Sequence, residues 1–169
     1  EKEAGLNGRS LAYPRGKVLC GCSSINGMLY MRGQARDYDR WRQMGCTDWG
    51  WDDVLPFFRK SEDYYAGADE FHGAGGEWRV EEMRLHWDIL DAFRAAAEAA
   101  GIPRTDDFNR GDNEGSSYFK VNQRHGVRVN SAKAFLHPVA GRRNLKVETG
   151  AQVARIVLED GAARGVEFA

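Results

Sequence analysis

The sequence predicts an α+β fold, and three observations carry that prediction. Apolar residues recur at helical spacing through the middle of the chain, apolar and polar residues alternate over its last part, and a glycine- and serine-rich segment precedes both. Residues 1–14 form an irregular, turn-rich lead-in. Residues 14–33, PRGKVLCGCSSINGMLYMRG, combine Gly16, Gly21, Gly27 and Gly33 with small polar residues and short apolar pairs. A short strand is expected at 17–19, followed by a helix or a buried extended segment, which periodicity does not separate in so short a run.

A helix is expected at 37–44, with Gly45 placed to end it in the left-handed conformation. A second is expected at 51–62, where Asp52 and Asp53 meet the positive end of the helix dipole. Pro56 lacks an N–H and its ring clashes with the preceding turn, so a break or restart is expected there. Trp49, Trp51, Val54, Leu55, Phe57 and Phe58 give this stretch a large apolar content. Residues 63–76, with Gly67, Gly73, Gly75 and Gly76, read as a loop, and 77–80 as a strand. The clearest helix spans 86–100: Ile89, Leu90, Phe93, Ala97 and Ala100 follow a 3.6 period, and Gly101 and Pro103 stop it.

A polar loop at 105–115 leads to a β-like segment at 116–123, a turn at 124–126 and a strand at 127–130. Ser131 is expected to cap a short helix at 132–136, closed by Pro138. Residues 144–149, 152–159 and 162–168 alternate in polarity, and Asp160 with Gly161 stands where a tight hairpin turn is wanted. The chain stops at Val166-Glu167-Phe168-Ala169, in mid-strand by pattern, so an internal piece of a longer protein is expected.

Composition narrows the function classes. The chain has 169 residues, 42% apolar and 11% aromatic, which suits one packed domain rather than disorder. The formal net charge is −1 with both signs interspersed, which excludes the basic face that nucleic-acid binding needs. No apolar run approaches the roughly 20 residues of a membrane span, and the first residues lack the apolar stretch of a signal peptide. Cys20, Cys22 and Cys46 make an odd count, which points away from a disulfide framework and toward a reducing, cytoplasmic compartment, with membrane association of a longer enzyme left open. A C-x-C pair is poor zinc spacing, and His72 and His86 are too far apart for a helical pair, so no metal is expected.

The glycine–serine segment is the candidate for chemistry. Without Cβ atoms in the way, such a loop brings backbone N–H groups close to the pyrophosphate or ring edge of a dinucleotide. A close-packed turn between strand and helix explains the same residues equally well, and the segment is not a G-x-G-x-x-G. Ser23 and Ser24 lack the G-x-S-x-G elbow of a hydrolase nucleophile. His125 and His137 have the chemistry of general bases, but each adjoins a turn or a proline, where surface histidines are the commoner outcome.

Residues Tyr13-Pro14-Arg15-Gly16-Lys17-Val18-Leu19-Cys20-Gly21-Cys22-Ser23-Ser24-Ile25-Asn26-Gly27-Met28 resemble the first signature of the glucose–methanol–choline (GMC) oxidoreductases. Further blocks follow in order: Tyr30-Met31-Arg32-Gly33, Asp37-Tyr38-Asp39 with Trp41, Gly50-Trp51, Asp53-Val54-Leu55-Pro56-Phe57-Phe58 and Ser61-Glu62. Later come Gly126-x-Arg128-x-Asn130-Ser131-Ala132, Ala134-Phe135-Leu136-x-Pro138, Asn144-Leu145-x-Val147, Ala151-x-Val153 and Gly165-Val166-Glu167. The resemblance runs over nearly the whole chain and is closest to choline dehydrogenase-like and other alcohol dehydrogenase members.

It implies an FAD enzyme that oxidises a small-molecule alcohol to the aldehyde by hydride transfer to flavin. Residues 1–36 would be the flavin-contacting loop segment of the FAD-binding domain. Residues 37–140 would be a mainly helical substrate and cap region with a β-hairpin, and 141–169 strands returning to the FAD-binding domain. Val18, Gly21, Ser24, Asn26, Gly27, Met28 and Leu29 would pass along the flavin, and Val153 would contact the adenine end through its backbone. Gly27 lets the backbone approach a flat ring, and Asn26 offers donor and acceptor to flavin heteroatoms. Ile25 stands where some members carry a histidine that binds FAD covalently, so a non-covalent FAD is implied. Cys20 stands at a usual glycine position; a positive φ there would cost about 1–3 kcal/mol. The family's G-x-G-x-x-G unit and its C-terminal histidine pair are not among these residues, so no catalytic residue is assigned, and the chain alone is expected neither to hold FAD tightly nor to turn over. The alternative is a non-catalytic binding or interaction module built on the same scaffold, whose uncovered strand edges and apolar patches would favour self-association.

Overall fold

The computed structural model describes residues 2–169. The chain forms two compact units, Glu1–Pro138 and Val139–Ala169.

In the first unit, three helices, α1 (Ala35–Gln43), α2 (Trp51–Ser61) and α3 (Asp88–Ala99), accompany a four-stranded mixed sheet. Its strands, β1 (Leu29–Tyr30), β2 (Glu62–Tyr64), β3 (Trp78–Glu82) and β4 (Lys120–Val121), lie in the order β1-β4-β3-β2. β2 and β3 are parallel; β4 runs antiparallel to both β3 and β1. A small hairpin of β5 (Gln123–Arg124) and β6 (Val127–Arg128) follows. Its turn residues His125 and Gly126 have φ 52 and φ 81, the two left-handed centres of a turn that matches strand twist.

The helices follow their sequence cues closely, with one exception. The Gln34 N–H donates to Asp37 Oδ2 at 3.0 Å, and the Gly50 N–H to Asp53 Oδ2 at 2.9 Å, so α1 and α2 both begin by satisfying a donor that the helix leaves free. Gly45 ends α1 at φ 109, as expected. Tyr38 then meets Trp41, Trp51 and Phe58 with ring centroids 5.3, 5.7 and 5.9 Å apart, which locks α1 onto α2. The exception is Pro56, which lies inside α2 without breaking it. It sits in the second turn, where it deprives a single carbonyl, that of Asp52, and Asp52 is exposed to water.

Other expectations need correction. No strand forms at 17–19; that stretch is irregular and leads into a 3-10 turn, Gly21–Ser24. β2 lies where a loop was expected to begin, since Glu-Asp-Tyr carries no strand-like alternation. It pairs in parallel with β3, Glu62 opposite Trp78, and the loop after it packs tightly on α2: a Cβ at Gly73 would stand 1.7 Å from the Arg59 carbonyl oxygen. The β-like segment at 116–123 shrinks to β4 plus the first residue of β5. Ser131 makes no side-chain cap; Asn130 Oδ1 instead accepts the Lys133 N–H at 3.0 Å, and Ala132–Leu136 is a single wide π-type turn. The apolar face of α3 is present but uncovered: Ile89 and Phe93 are each 70% exposed, and Ala97 is the one buried residue of the helix.

The second unit is a hairpin of β7 (Val153–Glu159) and β8 (Ala162–Phe168), turning at Asp160 and Gly161, both at positive φ. Residues 144–149 are not a strand. Among the described residues no helix is long and apolar enough to cross a membrane.

Candidate functional site

Seven of the eight proposed contact residues lie on one continuous loop of the first unit. A Cβ at Gly16 would stand 2.2 Å from the Gly21 carbonyl oxygen, so the chain folds back on itself there only because Gly16 is glycine. Val18 accepts from the Gly21 N–H at 2.9 Å, and Gly21 opens the 3-10 turn with φ 51. Cys20 lies at φ 103, so this non-glycine residue carries the strain foreseen for a positive φ. Its thiol meets Ser24 Oγ at 3.0 Å. Ser24 Oγ also faces Asn130 Nδ2 at 3.4 Å, and Ser23 Oγ meets Ser131 Oγ at 3.0 Å and donates to the Cys20 carbonyl at 2.7 Å.

Asn26, Gly27 and Met28 form the tip. The Met28 N–H donates to Asn26 Oδ1 at 3.0 Å, which supports Met28 in the left-handed region at φ 62. Arg128 reaches across from β6: Nη1 donates to Asn26 Oδ1 at 2.9 Å and to the Ser23 carbonyl at 3.1 Å, and Nη2 to the Asn26 carbonyl at 2.8 Å. The side-chain oxygen of Asn26 is therefore already engaged, and its amino group is what remains to offer a ligand. This narrows the expectation of donor and acceptor to donor alone. The loop ends in β1, where Leu29 pairs with Val121 and the Met28 carbonyl accepts the Asn122 N–H at 2.8 Å. Val153, the eighth residue, opens β7 in the second unit.

Beneath β1 lies a group of buried charges that sequence reasoning missed. Arg32 and Glu62 form an ion pair at 2.7 Å with both side chains fully buried. His72, also fully buried, sits between Glu62 Oε2 at 3.1 Å on Nδ1 and Asp107 Oδ2 at 2.6 Å on Nε2. Burial opposes the imidazolium, but hydrogen bonds to Asp107 and Glu62, together with their charges, outweigh it and raise the His72 pKa to about 9. Burial likewise pushes Asp107 up, but the His72 hydrogen bond and the Asn109 N–H hold it below the usual carboxylate value. Asn109 ties this group to the loop's exit: Oδ1 accepts the Arg32 N–H at 2.9 Å and Nδ2 donates to the Tyr30 carbonyl at 3.3 Å. The spacing of His72 from His86 in the sequence gives it no local partner. Its carboxylate partners stand 10 and 35 residues away, a separation no local pattern reveals.

The loop presents apolar side chains at its surface. Val18, Ile25, Leu29 and Met31 are 45–60% exposed along it. Among the described residues a Cβ at Gly27 would meet only Leu29 Cγ, at 3.8 Å, so that flank is open and no packing there calls for glycine. An apolar flank, an open backbone and a spare amide donor together suit the face and polar edge of a ring such as isoalloxazine.

The mixed fold and this loop are consistent with part of a ligand-binding domain, and comparison with known proteins gives the class. The family model described as GMC oxidoreductase matches residues 3–169. Human mitochondrial choline dehydrogenase is 40% identical over 168 residues, covering 99% of this chain and 28% of that protein. The crystal structure of pyridoxine 4-oxidase from Mesorbium loti superimposes with a TM-score of 0.89 at 36% identity, covering 99% of this chain and 34% of that one. An FAD-dependent oxidoreductase from Chaetomium thermophilum gives a TM-score of 0.89 at 26% identity, over 98% and 31% of the two chains. The chain belongs to the GMC oxidoreductase family and matches its N-terminal FAD-binding region, and the family match and an FAD-dependent structural neighbour support FAD binding. It spans about a third or less of the length of these relatives.

Proposed function

We propose that the chain is the flavin-contacting part of an FAD-dependent enzyme that oxidises a primary alcohol to the aldehyde. The observation that carries this reading is the Asn26–Met28 tip, with its open Gly27 flank and its unpaired amide donor. Bound FAD supplies the two-electron acceptor that takes the hydride from the alcohol carbon. The chain's own part is to bind and orient. Asn26 donates from its amino group to an acceptor at the ring edge. Val18 and Leu29 cover apolar surface and keep water from it, and Gly21 and Ser24 keep the loop close to the ring. Val153 contacts the adenine end through its backbone. Ile25 offers no nucleophile, which supports non-covalent binding. On this reading residues 1–36 and 141–169 belong with the FAD-binding domain and 37–140 with the substrate and cap region. The base that takes the hydroxyl proton is supplied from outside these residues. The relatives' names denote choline and pyridoxine, each of which bears a primary alcohol, and that supports the substrate class.

The test is anaerobic reduction of the FAD-loaded enzyme that carries this chain. Choline or pyridoxine should bleach the visible flavin band, whereas a tertiary alcohol, with no carbinol hydrogen, should not. Asn26→Ala should slow the bleaching while leaving the melting temperature near the parent value. A flavin that no primary alcohol reduces contradicts the reading. The 169-residue chain alone should stay colourless when purified; a yellow preparation with flavin near full occupancy would show that these residues suffice to hold FAD.

One observation favours a second reading, an interaction module. The α3 face with Ile89 and Phe93 is uncovered, and an apolar stripe of this kind promotes self-association. Concentration-dependent sedimentation of the chain that disappears in Phe93→Ser supports it; a monomer at all concentrations removes it.

A further inference from the structure

We propose that Arg128 is a positioning residue for the cofactor, because its planar fork clamps the side-chain and main-chain oxygens of Asn26 and so aims the Asn26 amino group at the flavin. The inference rests on the reading that Asn26 faces FAD, and adds to it a residue 102 positions away in the chain.

Two groups that can only donate converge on Asn26 Oδ1: the Met28 N–H at 3.0 Å and Arg128 Nη1 at 2.9 Å, the latter shared with the Ser23 carbonyl at 3.1 Å. Neither an amide N–H nor a guanidinium can accept a hydrogen bond, so the carboxamide cannot flip without setting donor against donor. Its orientation follows from chemistry, and Nδ2 has no partner among the described residues. The second arm of the fork holds the Asn26 carbonyl at 2.8 Å, so side chain and backbone of one residue are gripped together. A lysine ammonium is a point charge and does not reproduce that planar two-arm grip.

Arg128 is itself held in place. It is half-buried on β6, its carbonyl accepts Lys133 Nζ at 3.0 Å, and the hairpin turn at His125 and Gly126 sets its direction. The neighbouring residues serve the same loop: Asn130 Nδ2 reaches Ser24 Oγ, and the Ser131 N–H donates to Ser23 Oγ at 3.1 Å. The stretch 128–131 thus forms a frame behind the loop, and Arg128 is its one charged contact to the tip.

The test is a double-variant cycle in the FAD-loaded enzyme, read by FAD dissociation constant and visible flavin spectrum rather than by turnover. Arg128→Met and Asn26→Ala should each weaken FAD binding by about tenfold, and the double variant by about tenfold rather than a hundredfold, since both remove one interaction. Arg128→Lys guards against a simple folding loss: it should match Arg128→Met in FAD affinity while melting near the parent temperature. Asn26→Asp keeps an oxygen for Arg128 but loses the amino group, and should also weaken FAD. Additive losses in the double variant, or parent-like FAD affinity in Arg128→Met, overturn the positioning role while leaving Asn26 at the flavin. Parent-like affinity and spectrum in both Asn26 variants overturn the flavin-facing reading itself, and the proposal with it.

Discussion

Asn26 and Arg32 belong to the same short stretch of chain, yet they meet opposite surroundings. At Arg32 every charged neighbour is matched within the protein: Glu62 answers the guanidinium, His72 bridges Glu62 to Asp107, and Asn109 pins the backbone. At Asn26 only the acceptor side is matched, and apolar side chains beside it face outward. The first region is polar chemistry turned into a strut. The second is polar chemistry with its donor side unpaired among the described residues, the side that the proposed function assigns to the flavin. A buried ion network is a costly strut, since each charge loses its hydration and must recover it from partners. Here it fixes the strand on which the open loop ends.

The sharpest way to break this contrast is to remove the shared carboxylate. Glu62→Ala leaves Arg32 and His72 buried without their common partner and should lower the unfolding free energy by about 3–5 kcal/mol in urea titration. A loss below about 1 kcal/mol would mean that water reaches the network.

The pH dependence comes next. The folded His72 pKa is about 9, above its unfolded value of about 6.5. The stabilisation from its charge is therefore complete below about pH 6.5 and is lost as pH rises through about 9. Asp107, held low, adds stability above the ordinary carboxylate range that is lost only in acid. Stability should peak between weakly acidic and neutral pH and decline on the alkaline side, and His72→Gln should flatten that decline. An unchanged alkaline slope in His72→Gln would assign it to other groups.

A smaller effect tests the loop. Cys20→Gly relieves a side chain at φ 103 and should raise stability by about 1 kcal/mol, after the greater chain entropy of glycine is set against the strain released. Destabilisation would mean that the thiol contact with Ser24 outweighs the strain.

The smallest effect is expected where the sequence suggests a large one. Ile89 and Phe93 look like core by their spacing but are exposed, so Ile89→Ser and Phe93→Ser should each change the stability of the chain by no more than about 0.5 kcal/mol. Losses of the size of a core truncation, about 3 kcal/mol or more, would show that this face is covered in solution.

These particulars show what was legible in the sequence. The α+β class, the extents of α1 and α3 and the β7–β8 hairpin followed from periodicity and turn residues, because each is governed by near neighbours. The stripe on α3 was legible as a stripe but not as exposed, since periodicity says which residues share a face and not what covers it. β2 was hidden because Glu62, Asp63 and Tyr64 carry no alternation of their own and pair with β3, a strand beyond the intervening loop. Ser131 looked like a helix cap, but its hydroxyl is used by Ser23, a partner far away in sequence. The loop stood out through its small residues. The frame behind it, Arg128 to Ser131, showed only as a block of the family resemblance with no role attached, and the Glu62–His72–Asp107 contacts did not show, because their meaning lies in contacts between distant segments.

Hydrogen exchange measured by mass spectrometry on the FAD-free and FAD-loaded enzyme tests the contrast most directly. Backbone amides of residues 18–29 should exchange quickly without FAD and slow by at least about tenfold when it binds, while those around Glu62 and His72 should be protected in both states. Equal exchange of residues 18–29 with and without FAD would contradict the assignment of this loop to the flavin.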